Sequence, residues 1–353
     1  PAPAPAAATP SAAYYDPADL PPEPPAGQAG GPRTDLTAAE LTRFRTGRAE
    51  FWRKYDVASG LGPHYNDTSC VSCHSEPAVG GAEGMEKAAR VVFQPPDFVE
   101  VWPIKAIAGF EPLRVPKTNV ITFRRPTLLM GLGLLEAIPD EAVAAHCSQP
   151  ATADGVRYKL NRAWNGRPGR FGSKAHNDTI LDFAASAITS EMGITNPLKR
   201  DPRFRADKDN LPDPEVPAAR IEALADFVRF LAPPPRDGVH IEGEKIFATL
   251  GCTACHTPTP HPAAPGVYSD LCLHDMGKAL DARQPDFLST GAEWRTAPLW
   301  GVRWKNAYLH DERAKTLDEA ILAHGGEGQK ITKRYEALSA ADKAKVWQFL
   351  RTL

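Results

Sequence analysis

Cys70-Val71-Ser72-Cys73-His74 recurs as Cys252-Thr253-Ala254-Cys255-His256. Cys-x-x-Cys-His is the pattern that attaches a c-type haem. Its two thiols add to the vinyl groups of the porphyrin, and the adjacent histidine lies under the iron as proximal ligand. A redox Cys-x-x-Cys or half of a zinc site would use the same cysteines. Zinc would need a further Cys or His pair close by. Two such five-residue matches in a chain with only six cysteines are far beyond chance. Two covalent haem c groups are therefore expected, held through Cys70 and Cys73 and through Cys252 and Cys255. His74 and His256 are the expected proximal iron ligands.

A length of 353 residues fits two domains, one for each motif. A net charge of −2 offers no basis for binding nucleic acid or an anionic membrane surface. No apolar run approaches transmembrane length. Covalent haem and sparing cysteine use fit an extracytoplasmic bacterial protein, so a periplasmic location is expected. A chain that opens on Pro1 is also expected to have lost an upstream secretion signal. Cys147 and Cys272 remain after the haem motifs. A disulfide and two buried free thiols are both open for them.

Residues 1–33 hold ten prolines and many alanines, and 1–36 read as an extended tether. Thr37 with Glu40 makes a capping box. The helix after it carries Leu41, Phe44 and Phe51, with Gly47 where another helix can cross closely. Residues 216–231 read as a second amphipathic helix with Ile221, Leu224, Phe227, Val228 and Leu231 on its apolar stripe. Pro233-Pro234-Pro235 closes a first domain spanning 37–235. Residues 236–353 repeat the plan. A helix with Ile246, Phe247 and Leu250 enters the second motif, and a last helix from Ser339 carries Val346, Phe349, Leu350 and Leu353. Strand signals are sparse; Val91-Val92-Phe93 and Val120-Ile121 do not settle into alternating hairpins. The expected fold is mainly α, two cytochrome c-like domains in tandem.

A second repeat concerns histidines. Asp140-Glu141-Ala142-Val143-Ala144-Ala145-His146 parallels Asp318-Glu319-Ala320-Ile321-Leu322-Ala323-His324. His146 follows His74 by 72 residues, and His324 follows His256 by 68. Similar spacing implies a similar place in each half. Thr316 and Glu319 cap the second copy, Gly325-Gly326 ends it, and Leu317, Ile321 and His324 share a face. His324 is thus a candidate sixth ligand to the second iron, with Met276 as its rival. His146 is a candidate ligand to the first iron, or a distal acid–base group beside bound peroxide. His176 and Met85 are weaker candidates, and His64 reads as a surface-loop residue. Glu191 ends an apolar helical run. Held against a haem pocket, it would have a raised pKa and could shuttle a proton. Trp294, Trp300 and Trp304 cluster near the second site, as core residues or as carriers of an oxidising hole.

These residues resemble the bacterial di-haem oxidoreductases, a peroxidase-like family within the di-haem cytochrome c peroxidase superfamily. The matching stretches are Leu61 to Ser75 with Gly80-Gly81, Arg125 to Asp140, Gly166 to Gly172, Glu191 to Pro197, Ser269 to Gly277 and Trp294 to Gly326. They span nearly the whole chain after the tether. In the peroxidases, the segment resembling Tyr308 to His324 ends in the axial methionine of the electron-accepting haem. His324 in that place implies a bis-histidine haem of lower potential. A catalytic glutamate lies in a segment similar to Glu191-Met192-Gly193, and the resemblance carries that role to Glu191. The peroxidases' inter-haem tryptophan falls near Leu134-Leu135, so that bridge is missing or supplied elsewhere. Arg124 stands near an asparagine of their calcium site, which argues against calcium. The place of His146 is leucine-like in the family pattern.

The expected function is a di-haem peroxidase-like oxidoreductase. Its first haem would take peroxide or another small oxidant, and its second would exchange electrons with a small redox protein or another donor or acceptor. Glu191 and His146 would manage protons. If His146 and His324 both ligate, the chain reads instead as an electron-transfer cytochrome with no open iron. A third reading is an enzyme that oxidises a residue on a partner protein.

Overall fold

Gly47 lies inside α1 (Ala38–Trp52) because α5 (Ala218–Phe230) crosses there. A Cβ on Gly47 would stand 2.1 Å from the Ala223 carbonyl oxygen, so no larger residue fits without moving a helix. The close approach lets Phe44 and Phe51 pack on Phe227, with ring centroids 5.2 and 4.7 Å apart. The capping box of Thr37 and Glu40 sets the start of α1. The second half repeats this arrangement. In α6 (Ile241–Leu250), a Cβ on Gly243 would stand 2.0 Å from the Lys345 carbonyl oxygen of α9 (Ala340–Leu350). Phe247 then meets Phe349 at 5.3 Å. Phe51 and Phe247 each lie 6.2 Å from a motif histidine ring, His74 and His256. In both halves, then, one phenylalanine four residues past the glycine ties the helix crossing to the haem motif.

This is a computed structural model, and it describes residues 20–82, 89–94, 98–114, 120–198, 211–283, 285–286 and 288–353. Met85 lies outside the described residues. The remaining helices are α2 (Leu132–Glu136), α3 (Asp140–His146), α4 (Ile180–Met192), α7 (Leu317–Leu322) and α8 (Gln329–Glu336). No helix among the described residues is long and apolar enough to cross a membrane. The fold is helix-rich with few strands. Short pairs join β1 (His64–Tyr65) to β4 (Lys105–Ala106) and β6 (Leu273–Asp275) to β7 (Glu293–Arg295).

Two expectations need correcting. The Val91 and Val120 segments do form a sheet. β2 (Ala89–Gln94) pairs antiparallel with both β3 (Phe98–Trp102) and β5 (Val120–Arg124). β-branched and aromatic residues favour extended backbone even where polar and apolar residues do not alternate, and alternation was the signal sought. Residues 20–36 also do not hang free. The Gly31 carbonyl accepts from Ala232 N–H and the Phe230 carbonyl from Arg33 N–H, while Arg48 donates to the Pro21 carbonyl. Prolines lack donors, but their carbonyls still accept, which lets this segment lie on α1 and the end of α5.

The packing does not stop at Pro233-Pro234-Pro235. Ala264, Val267, Leu271, Cys272 and Trp300 belong to the same apolar core as Phe44, Leu135 and Phe227. A smaller core gathers Phe247, Tyr268, Tyr335 and Phe349. Cys147 and Cys272 form a disulfide across 125 residues, which resolves the alternatives left open for them. Closing so long a loop restricts the unfolded chain, and its loss is expected to cost about 2–4 kcal/mol. The Cys147→Ser/Cys272→Ser double variant should therefore melt at a lower temperature by far-ultraviolet circular dichroism. An unchanged midpoint would mean that packing alone joins the halves.

Candidate haem sites

The second motif opens onto a cavity of about 330 Å³ lined by Cys252, Cys255, His256, Met276, Ile321 and His324 among others. Its wall is mainly apolar, as a porphyrin face requires. His256 donates from Nδ1 to the Tyr268 carbonyl oxygen at 3.0 Å, which leaves Nε2 free for a metal. His324 does the same, donating from Nδ1 to the Ala320 carbonyl oxygen at 2.7 Å. The two imidazole centroids are 6.5 Å apart. Two metal–nitrogen bonds of about 2 Å each, plus two ring radii, come to about 6 Å. The pair therefore suits a single metal between them. α7 ends at Leu322, so His324 sits in the turn just past the helix, still on the face of Leu317 and Ile321. Met276 lines the same cavity.

All four motif cysteines lie outside any disulfide, as thioether formation requires. Cys255 lies near Asp270 and His274, a set that could suggest zinc. His274 is already taken: Nε2 is 2.8 Å from Asp270 Oδ2 and Nδ1 is 3.2 Å from Glu327 Oε2. Burial favours the neutral ring, but hydrogen bonds to Asp270, the Cys255 sulfur and Glu327 prevail and raise its pKa to about 12. An imidazolium has no lone pair to offer a metal. The residues fit haem better than zinc.

At the first motif, His74 donates from Nδ1 to the Gly81 carbonyl oxygen at 2.9 Å, matching His256. Glu191, at the end of α4, stands near enough for its charge to act on the Cys70 sulfur. Its Oε2 accepts from Asn66 Nδ2 at 2.7 Å, and its backbone carbonyl accepts from Asn66 N–H at 2.7 Å. Burial raises the Glu191 pKa to about 7 against the opposing pull of the Asn66 bond. A carboxyl poised near neutral pH can both take and give a proton.

His146 differs from the motif histidines. Its Nδ1 accepts from Gln149 Nε2 at 3.3 Å, and its Nε2 is buried with no hydrogen-bond partner among the described residues. Its ring meets Tyr158 edge-on at 5.8 Å, and it lies beside Asp270 and Cys272. His64 donates from Nε2 to the Glu111 carbonyl oxygen at the surface. His176 Nδ1 lies 3.1 Å from Asp286, which also pairs with Arg124 at 3.3 Å. Arg124 thus faces a carboxylate and stands 5.7 Å from the Trp294 ring centre. Trp294 stacks on His310 at 3.9 Å, with the Lys174 ammonium 3.6 Å from its ring centre. Trp294 and Trp300 are buried, and Trp304 is half-buried under Arg303.

A family model described as "Di-haem oxidoreductase, putative peroxidase" matches residues 114–353. The chain belongs to the di-haem oxidoreductase family. The matched stretch contains the second motif, Glu191 and His324; the first motif precedes it. No curated protein sequence matches this oxidoreductase. Solved structures similar to it include hydrazine synthase of Kuenenia stuttgartiensis, 18% identical over 95% of this chain and 98% of that one, with a TM-score of 0.44. The diheme peroxidase BthA from Burkholderia thailandensis is 16% identical over 88% and 86%, with a TM-score of 0.47. A MauG-like protein associated with microbial copper homeostasis is 17% identical over 95% and 94%, also at 0.47.

Two residues of this di-haem oxidoreductase that bear on the sites, Asn66 and His274, were not singled out from the sequence. Asn66 is a lone amide in a loop, and its link to Glu191 spans 125 residues. His274 could have been found from Asp270 four residues before it. Trp300, which the sequence did single out, borders the same surface crevice as Leu134.

Proposed function

We propose that this chain is a periplasmic c-type di-haem peroxidase. Its first site reduces hydrogen peroxide or another small oxidant, and its second exchanges electrons with a small redox protein. The observation that carries this reading is an asymmetry between the sites. The second motif histidine faces His324 at single-metal distance, whereas a carboxylate with a pKa near 7 stands by the first. A saturated iron suits outer-sphere electron transfer, and a titrating carboxylate suits bond-breaking with proton transfer.

Bound haem would supply the electrons and the iron chemistry that cleaves the O–O bond. Reduction of one peroxide takes two electrons and two protons and yields two waters. Glu191 accepts a proton from the incoming peroxide and returns it to the departing oxygen. Asn66 fixes the carboxylate while this happens. His74 and His256 would hold the irons through Nε2, with Nδ1 anchored to the backbone. His146 is given no step in the scheme: its Nδ1 accepts from Gln149, its ring packs on Tyr158, and its buried Nε2 has no hydrogen-bond partner among the described residues.

The test is steady-state oxidation of a reduced small cytochrome or copper protein by hydrogen peroxide, on protein shown to carry two haems per chain. Catalytic, peroxide-dependent oxidation supports the proposal. Electron exchange with the partner that peroxide does not pull forward would leave an electron carrier.

A further inference from the structure

Three cations line the second cavity: Arg125, Arg295 and Lys305. They come from separate parts of the chain. Arg125 follows β5 in the first half; Arg295 ends β7; Lys305 follows a short turn at Val302–Trp304. Arg125 is 3.2 Å from the buried Glu312 and donates to the Ala307 carbonyl, while its Nε has no hydrogen-bond partner among the described residues. Arg295 donates to the Gly172 and Thr296 carbonyls. Among the described residues, neither Arg295 nor Lys305 has a carboxylate at ion-pair distance.

Like charges enclosed together repel. Burial first, then Arg125 and Arg295, lower the Lys305 pKa to about 8. Burial carries Arg295 down to about 10 against the opposing pull of the Asp270 charge. Such a group is costly unless an anion meets it. Arg125 is matched by Glu312, which leaves two unmatched cations on one apolar cavity. A haem carries two propionate carboxylates on one edge of an otherwise apolar disc.

We propose that Arg295 and Lys305, with Arg125 beside them, form the anchor for the two propionates of the haem in the second site. The inference rests on the reading that this site holds a haem. It gives the site a charged patch, built partly from the first half of the chain. Because the anchor neutralises the propionates, it also sets the haem's potential. Removing a cation leaves excess negative charge beside the iron and favours the ferric state.

The experiment uses the holoprotein with Lys305→Gln, Arg295→Gln and the charge-retaining Lys305→Arg. Its readouts are haem content, the propionate-bending band in resonance Raman, and the midpoint potential of the second haem. Each Gln variant is expected to shift the band and to raise the ferric-to-ferrous ratio at fixed potential by about tenfold. That is a fall of about 59 mV for a one-electron couple. Lys305→Arg, which tolerates burial at least as well, is expected to restore the potential. Two haems per chain with band and potential unmoved in both Gln variants would overturn the anchor alone. A wild-type chain that binds no haem at Cys252 and Cys255 would overturn the anchor and the function reading together.

Discussion

Replacing His324 with alanine is expected to turn the second ferric haem from low-spin to high-spin in the electron paramagnetic resonance spectrum. Replacing it with methionine should raise that haem's midpoint potential by an amount on the order of 0.1–0.3 V, inside the roughly 0.8 V span that axial ligands command. Imidazole is the stronger donor and favours the ferric iron, whereas thioether favours the ferrous. The expectation stands on two distances. His324 Nδ1 is committed to the Ala320 carbonyl at 2.7 Å, and its ring lies 6.5 Å from that of His256. The rival is Met276, which lines the same cavity. If His324→Ala stays low-spin while Met276→Leu becomes high-spin, the ligand is Met276 and the bis-histidine reading is lost.

Glu191→Gln is expected to lower peroxide turnover by about 10²–10⁴-fold, the usual weight of a positioned acid–base group. The amide keeps the shape and the contact with Asn66 but cannot take a proton. The pH profile sharpens the test. A carboxyl with a pKa near 7 works as a base only when ionised, so wild-type turnover should climb as pH rises through about 7. In the Gln variant that limb should vanish. Asn66 hydrogen-bonds the ionised form and holds the pKa down, so Asn66→Leu should move the limb to higher pH. A profile that is flat through pH 7 in the wild type would exclude Glu191 as the proton carrier.

What could be read from the sequence was what the chain writes locally. The two motifs, the Thr37 capping box, Gly47 at a helix crossing and the face shared by Leu317, Ile321 and His324 are all fixed by residues a few positions apart. Each appears in the structure. The reading failed where neighbours in space are distant in sequence. In the sheet, β2 pairs with β5 across 27 to 35 residues, although its pairing with β3 is local. The repeat relates His146 to His324 by spacing alone, and the rings they meet, Tyr158 for one and the motif histidine His256 for the other, are set by the fold. Backbone spacing says where a side chain starts and not what meets it. Arg125, Arg295 and Lys305 were invisible as a group for the same reason, because only the fold gathers them on one wall.

The core shared across Pro233-Pro234-Pro235 bears on how the protein is made. Synthesis delivers the first half with its motif before Ala264, Val267, Leu271 and Trp300 exist. Until they arrive, Phe227 and Leu135 lack part of their covering, and Cys147 has no sulfur to join. The segment that completes this core also carries Tyr268, whose carbonyl fixes His256. The first half therefore reaches its full packing only once the second has been made, and the two halves complete one core together.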